Sequence, residues 1–132
     1  MQQNEMKDLI DGYIKAYNAF DIDAMLLDMH NHISFQNISD GHVNLSTEGI
    51  SELRNAAEQA CHLFKSRRQT VTDYQFSGNT ATVQIDFAGE LSVDIPDGPK
   101  AGEILKLKGK SEFINPATKY IKIKQHKRSL DA

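Results

Sequence analysis

The chain has 132 residues, 39% of them hydrophobic and 25% charged, a composition that fits one globular domain built around a single core. No apolar run is long enough for a membrane span, and the polar, acidic opening from Met1 to Lys7 lacks a secretory pattern, so a cytoplasmic home and no membrane partner are expected. Cys61 is the single cysteine, which excludes an internal disulfide and a four-cysteine zinc site.

The net charge of −3 is unevenly spread: residues 1–99 carry six Lys/Arg against fifteen Asp/Glu, and residues 100–132 carry nine against three. A basic tail invites a nucleic-acid reading. Here, however, Lys106, Lys108 and Lys110 alternate with Leu105, Leu107 and Gly109, and Lys122 and Lys124 with Ile121 and Ile123. Period-2 alternation is the mark of a solvated strand face, so no nucleic-acid partner is expected.

No repeat or linker divides residues 1–132, and the first third reads as helical. Leu9, Ile10, Tyr13, Ile14 and Tyr17 form one apolar stripe at helical spacing. Asp21 is the expected N-cap of a short second helix through Asp28 that buries Met25 and Leu26. Residues 32–38 switch to strand period, with Ile33 and Phe35 on one face. Ser39-Asp40-Gly41 is a turn into a short strand around Val43 and Leu45. Thr47 and Glu48 are expected to start a third helix, with Ile50, Leu53, Ala57, Ala60, Cys61 and Phe64 as its stripe.

From Ser66 onward the pattern is that of strands. One is expected over Arg68–Phe76, closed by the turn Ser77-Gly78-Asn79, and the next over Thr80–Val93, with Ala81, Val83, Ile85 and Phe87 on one face. Gly89 predicts a bulge or sharp bend there. A turn-rich connection, residues 94–99, leads to a strand over Ile104–Ile114. Asn115-Pro116 then leads to a last strand over Lys119–His126. Helices followed by a mainly antiparallel meander make an α+β fold: N-terminal helices packed on the concave side of a strongly bent sheet, enclosing a cone-shaped cavity.

Parity picks out polar groups on the buried faces. Asn37 shares the face of Ile33 and Phe35, Ser111 that of Leu105, Leu107 and Phe113, and Gln125 that of Ile121 and Ile123; Tyr13 lies in the first helix's stripe. Each needs a partner or costs a few kcal/mol when buried. Several converging on one cavity is the usual look of a small-molecule site.

Residues 13–23, YIKAYNAFDID, followed by a strand from Ile33 to Ser39, resemble the opening of NTF2-like proteins, above all ketosteroid isomerases and SnoaL-like polyketide cyclases. Residues 94–102, DIPDGPKAG, with Leu105, Leu107, Gly109 and Phe113 beyond, are similar to the SnoaL hairpin. The resemblance spans roughly residues 10–125. It implies the cone-shaped, cystatin-like α+β fold and a homodimer formed through the open sheet face. It also implies roles: Tyr13 falls where the isomerases keep an oxyanion-binding tyrosine, Asn37 where they keep the carboxylate base, and Ser111 where isomerases and cyclases keep an aspartic acid. Asn and Ser take up no proton near neutral pH, so the family's acid/base route is missing.

Other chemistry is thinner. His30 and His32 have no further ligands at convincing spacing and read as surface histidines, so no metal or cofactor is expected. Cys61 reads as a core cysteine. Asp86 falls on the face opposite Ile85. Arg67 and Arg68 read as a solvated pair near the cavity mouth, with contact to an anionic ligand as the alternative. Glu58 is a conceivable substitute acid/base for an isomerase, cyclase or dehydratase, and Asp86 one only if its face were the pocket. The expectation is therefore a pocket for a mostly apolar or aromatic small molecule, with Tyr13, Tyr17, Phe35, Asn37, Phe64, Ile85, Ser111 and Phe113 around it. A non-catalytic protein-interaction module is the third reading.

Overall fold

The computed structural model describes residues 3–27, 29, 33–39, 42–114 and 122–129, of which 3, 37–39, 42, 44, 114 and 122–129 by backbone alone. Helix α1 (Gln3–Asn18) forms on the expected stripe, with Ile10, Tyr13, Ile14 and Tyr17 buried. Its end is closed by two crossed bonds, Asp21 N–H to the Ala16 carbonyl (2.9 Å) and Phe20 N–H to the Tyr17 carbonyl (3.1 Å). This helix ending usually places glycine where Phe20 stands, left-handed at φ 58°. Helix α2 (Ile22–Leu26) is capped as expected: the Asp21 carboxylate accepts from the Ala24 N–H at 3.1 Å.

Strands β1 (Ser34–Ser39) and β2 (His42–Glu48) form a hairpin, and α3 (Ile50–Cys61) follows. The third helix starts later than the Thr47-Glu48 signal suggests. Thr47 is a buried β2 residue opposite Phe35, and Gly49, at φ 87°, takes the cap position. Pairing with β1 outcompetes a local cap, and only glycine makes the following turn without strain. Nor does Phe64 extend that helix. His62 ends it, and Phe64 opens β3 (Phe64–Ser77), four residues ahead of the expected start.

Strands β3, β4 (Thr80–Leu91), β5 (Ile104–Ile114) and β6 (Lys122–Ser129) form the antiparallel meander, and the full sheet runs β2-β1-β6-β5-β4-β3. The β1–β6 pair is the parallel one. Gly89 is not a bulge: pairing runs regularly through it to Arg67. The irregularities lie on the partner strand, between Phe64 and Ser66 and between Val71 and Asp73, with another in the hairpin at Asn37/Ile38. The core lies between the helices and one face of the sheet, where Ala81, Val83, Ile85 and Phe87 of β4 are all buried. Helix α1 lies on this face through two edge-on ring contacts, Tyr13 with Phe113 (centroids 5.9 Å apart) and Tyr17 with Phe87 (6.5 Å).

Candidate functional site

One side of α1 borders an apolar cavity of about 210 Å³. Its walls are α1 from Met6 to Tyr13, Ala24 and Met25 of α2, Leu27 and Met29 beyond, and Phe113 of β5. Leu27, 78% exposed, stands at its rim. Three of the chain's four methionines line it, and their unbranched thioethers adapt to ligands of different shape. Gly12 sits in the middle of α1, where glycine costs about 1 kcal/mol relative to alanine; a Cβ there would meet nothing within 4 Å, so the wall is thin at that point. Among the described residues of the wall none is an acid, a base or a histidine, and the Tyr13 phenol is the one strongly polar side chain.

Further along α1, one turn beyond Tyr13, the chemistry reverses. Arg67 of β3 is 6% exposed, and its guanidinium lies against the Tyr17 ring (3.7 Å to the centroid) and the Phe20 ring (4.4 Å). Its Nε donates to the Tyr17 carbonyl at 3.0 Å, at the negative end of α1. A cation at a partly buried helix C-terminus contributes up to ~2 kcal/mol, and each cation–π contact about 0.5–2 kcal/mol. Against this, desolvating an unpaired guanidinium costs several kcal/mol. The two sides nearly balance, yet Nη2 is buried with no hydrogen-bond partner, a further cost of ~1–3 kcal/mol.

Gln69, two residues along the same strand, is 4% exposed and its Oε1 is likewise unpartnered. Its backbone is held by α1: the Asn18 side-chain amide donates to the Gln69 carbonyl (3.0 Å), and the Gln69 N–H donates back to Asn18 Oδ1 (2.7 Å). Burial pushes the nearby Tyr17 hydroxyl above its ordinary pKa, against the opposing Arg67 charge and a hydrogen bond with Gln69. Along the same side of α1, Tyr74 donates a short hydrogen bond to Asp11, which also pairs with Lys7 at 2.8 Å. Burial and this bond raise Tyr74 above the ordinary tyrosine value.

The structure places the expected pocket residues as follows. Tyr13 and Phe113 line the apolar cavity. Phe35 and Ile85 lie in the core. Tyr17 and Phe64 both meet Phe87, Phe64 with its ring centroid 5.3 Å away. Ser111, 4% exposed, keeps its expected parity; it pairs with Val83 on one side and Gln125 on the other, and Gln125 pairs with Asn37. The register thus aligns Asn37, Gln125, Ser111 and Val83 in one row; the side chains of Asn37 and Gln125 lie outside the described residues.

Arg67 and Arg68 are not a solvated pair: Arg68 is exposed, but Arg67 is buried, because 67, 69 and 71 share the inner face of β3. Glu58 is exposed on α3 and takes no part in either region. Asp86 stands on the outer sheet face, 3.8 Å from Lys108. Among the described residues no group of three or more His, Cys, Asp or Glu side chains could hold a metal; His30 and His32 lie outside them. No described helix is long and apolar enough to cross a membrane.

No protein-family model matches the chain, and no curated protein matches its sequence. Solved structures do match it in three dimensions. An NTF2-like protein from Burkholderia thailandensis superposes at a TM-score of 0.71 with 13% identity, over 91% of this chain and 88% of that one. The fold is NTF2-like. A SnoaL-like polyketide cyclase candidate from a Jannaschia species shares this NTF2-like fold at a TM-score of 0.71 and 13% identity, covering 92% and 85%. TerC, crystallised with polyporic acid, follows at 0.69 and 11%, covering 90% and 88%. At such identities the NTF2-like likeness is one of fold, and function must be argued from the site.

Proposed function

We propose that the protein binds a small, mostly apolar or aromatic molecule between α1, α2 and β5, and that it holds this molecule without acid/base chemistry. The observation that carries the reading is the cavity wall: about 210 Å³ bordered by apolar side chains, with Tyr13 as its polar element and, among the described residues, no ionisable carboxylate or imidazole. An apolar cavity of ~150 Å³ suffices for one benzene ring, so a single substituted ring is the expected size. Tyr13 orients a carbonyl or hydroxyl on that ring, and Phe113 stacks against it edge-on. Asn37 and Ser111, the positions matching the family's carboxylates, are neutral. TerC, of like fold, was crystallised with polyporic acid, which supports a small organic ligand here. The proposal includes a homodimer through the outer sheet face.

The test is a thermal-shift screen of substituted benzenes, aromatic polyketide-like compounds, steroids and small carboxylic acids. A ligand present at 100 times its Kd stabilises the folded state by about 2.7 kcal/mol, a shift of several degrees. Gly12→Met is the control, since it adds a side chain at the cavity wall in a position with open space. A hit among one-ring compounds that disappears in Gly12→Met supports the reading. No shift with any compound overturns it.

A further inference from the structure

On the side of α1 away from the apolar cavity, an open groove of about 580 Å³ runs between α1 and the edge strand β3. Its borders include Lys15, Asn18, Arg67, Arg68 and Gln69. Its one acid, Asp11, is already engaged by Lys7 and Tyr74. Among the described residues no carboxylate lies within salt-bridge distance of Lys15, Arg67 or Arg68, so this end of the groove is cationic and uncompensated.

Two deficits stand side by side in it. Arg67 Nη2 is a buried donor without an acceptor, and Gln69 Oε1 is a buried acceptor without a donor. The two residues share one face of an extended strand, which sets their Cα atoms roughly 6.6 Å apart. Phe20, left-handed at the ending of α1, lays its ring on the Arg67 guanidinium. Unmet hydrogen bonds gathered around one buried charge are characteristic of a binding site.

We propose that this groove binds a small hydroxycarboxylate, Arg67 receiving the carboxylate and Gln69 accepting from the hydroxyl. The carboxylate supplies the charge that Arg67 lacks, while Arg68 and Lys15 at the border draw the anion in. The hydroxyl stands on the order of 5–7 Å from the carboxylate, comparable with the backbone spacing of the two residues. The site is separate from the apolar cavity and does not depend on its having a ligand.

Three probes test it by calorimetric titration: 3-hydroxybenzoate, benzoate and methyl 3-hydroxybenzoate. The first is expected to bind at least ten-fold tighter than either of the others. Gln69→Leu lowers 3-hydroxybenzoate to the affinity of benzoate and leaves benzoate unchanged. Arg67→Met erases the preference for acid over ester, and without ligand its Tm is unchanged or higher, since a buried unpaired charge is gone. Gly12→Met leaves all three affinities as they were.

The proposal falls if the unaltered protein binds none of the probes, or all three alike. It falls if Gly12→Met abolishes binding, which moves the anion to the apolar cavity. It also falls if Gln69→Leu leaves the hydroxyl preference intact, even where Arg67→Met fails to fold; Arg67 is then a pin for the end of α1.

Discussion

The Phe64 ring fills the space that Gly89 leaves open on the neighbouring strand: a Cβ on Gly89 would stand 2.7 Å from Phe64 Cδ1 and 3.0 Å from Phe87 Cζ. Because Phe64 and Phe87 are themselves packed edge to face, the ring has little room to retreat. Gly89→Ala is expected to destabilise the protein by about 1–3 kcal/mol in urea unfolding. In Gly89→Ala/Phe64→Leu the loss is smaller than the sum of the two single losses by at least ~0.5 kcal/mol, the mark of residues in direct contact. Strictly additive losses would mean that the two do not meet.

Gly12 predicts the opposite sign. It occupies a helix interior with open space where a Cβ would go, so Gly12→Ala should raise stability by about 0.5–1 kcal/mol. The added methyl lies at the wall of the apolar cavity, so ligands found in the thermal-shift screen should bind more weakly. Denaturant midpoints together with ligand titrations check both halves.

Asn18 acts as a substitute strand for the free edge of β3, its amide satisfying the N–H and carbonyl of Gln69 together. Asn18→Ala removes both bonds and should cost about 1–3 kcal/mol. Hydrogen exchange at the Gln69 amide should rise by more than exchange across β4, because the edge is released while the sheet stays formed. Equal protection in the variant would refute this.

Asp11 gives a pH dependence with a definite sign. Burial pushes its carboxyl up, but the hydrogen bonds from Lys7 and Tyr74 and the Lys7 charge together hold it below the ordinary aspartate value. A lowered folded value means stability that is present above the unfolded pKa and lost as pH falls through the folded one. Asp11→Asn should therefore cost about 1 kcal/mol or less at pH 7, discounted for partial exposure, and its deficit should close below about pH 4. A deficit constant from pH 7 to pH 3 would count against the ionised bond.

The proposed homodimer rests on a face of mixed sign. Lys108 pairs with Asp86 at 3.8 Å and Lys65 with Glu90 at 3.8 Å on exposed strand residues. Such pairs can exchange across a two-fold axis and are weakened by salt. Sedimentation velocity should show a dimer that gives way to monomer by about 0.5 M salt and in Lys108→Glu. A monomer under every condition removes the dimer from the proposal.

How far the sequence could be read depended on where side chains alternate without interruption. The β4 face from Ala81 to Phe87, the α1 stripe and the Asp21 cap all follow local rules, and the structure keeps them. Strand β3 does not. Arg67, Gln69 and Val71 share its inner face, then the irregularity before Asp73 shifts parity so that Tyr74 and Phe76 continue it. No glycine or proline marks that shift, so the two buried polar residues look like solvated ones. Thr47 misleads for another reason: a helix-cap signal at the end of a strand loses to cross-strand pairing. The separation of Tyr13 from Tyr17 into two chemically different surroundings depends on what β3 and β5 present, which no spacing within α1 reveals.

The parallel pairing of β1 with β6 has a consequence for how the protein is made. Ser34 meets Lys122, so the strand that joins the β1–β2 hairpin to the rest of the sheet is the last of the six to be synthesised. Until then β1 and β2 are synthesised with an open edge, and the meander can form only three of its strands. The sheet can close only once β6 is made, and a chaperone that shields the β1 edge would find its substrate in that interval.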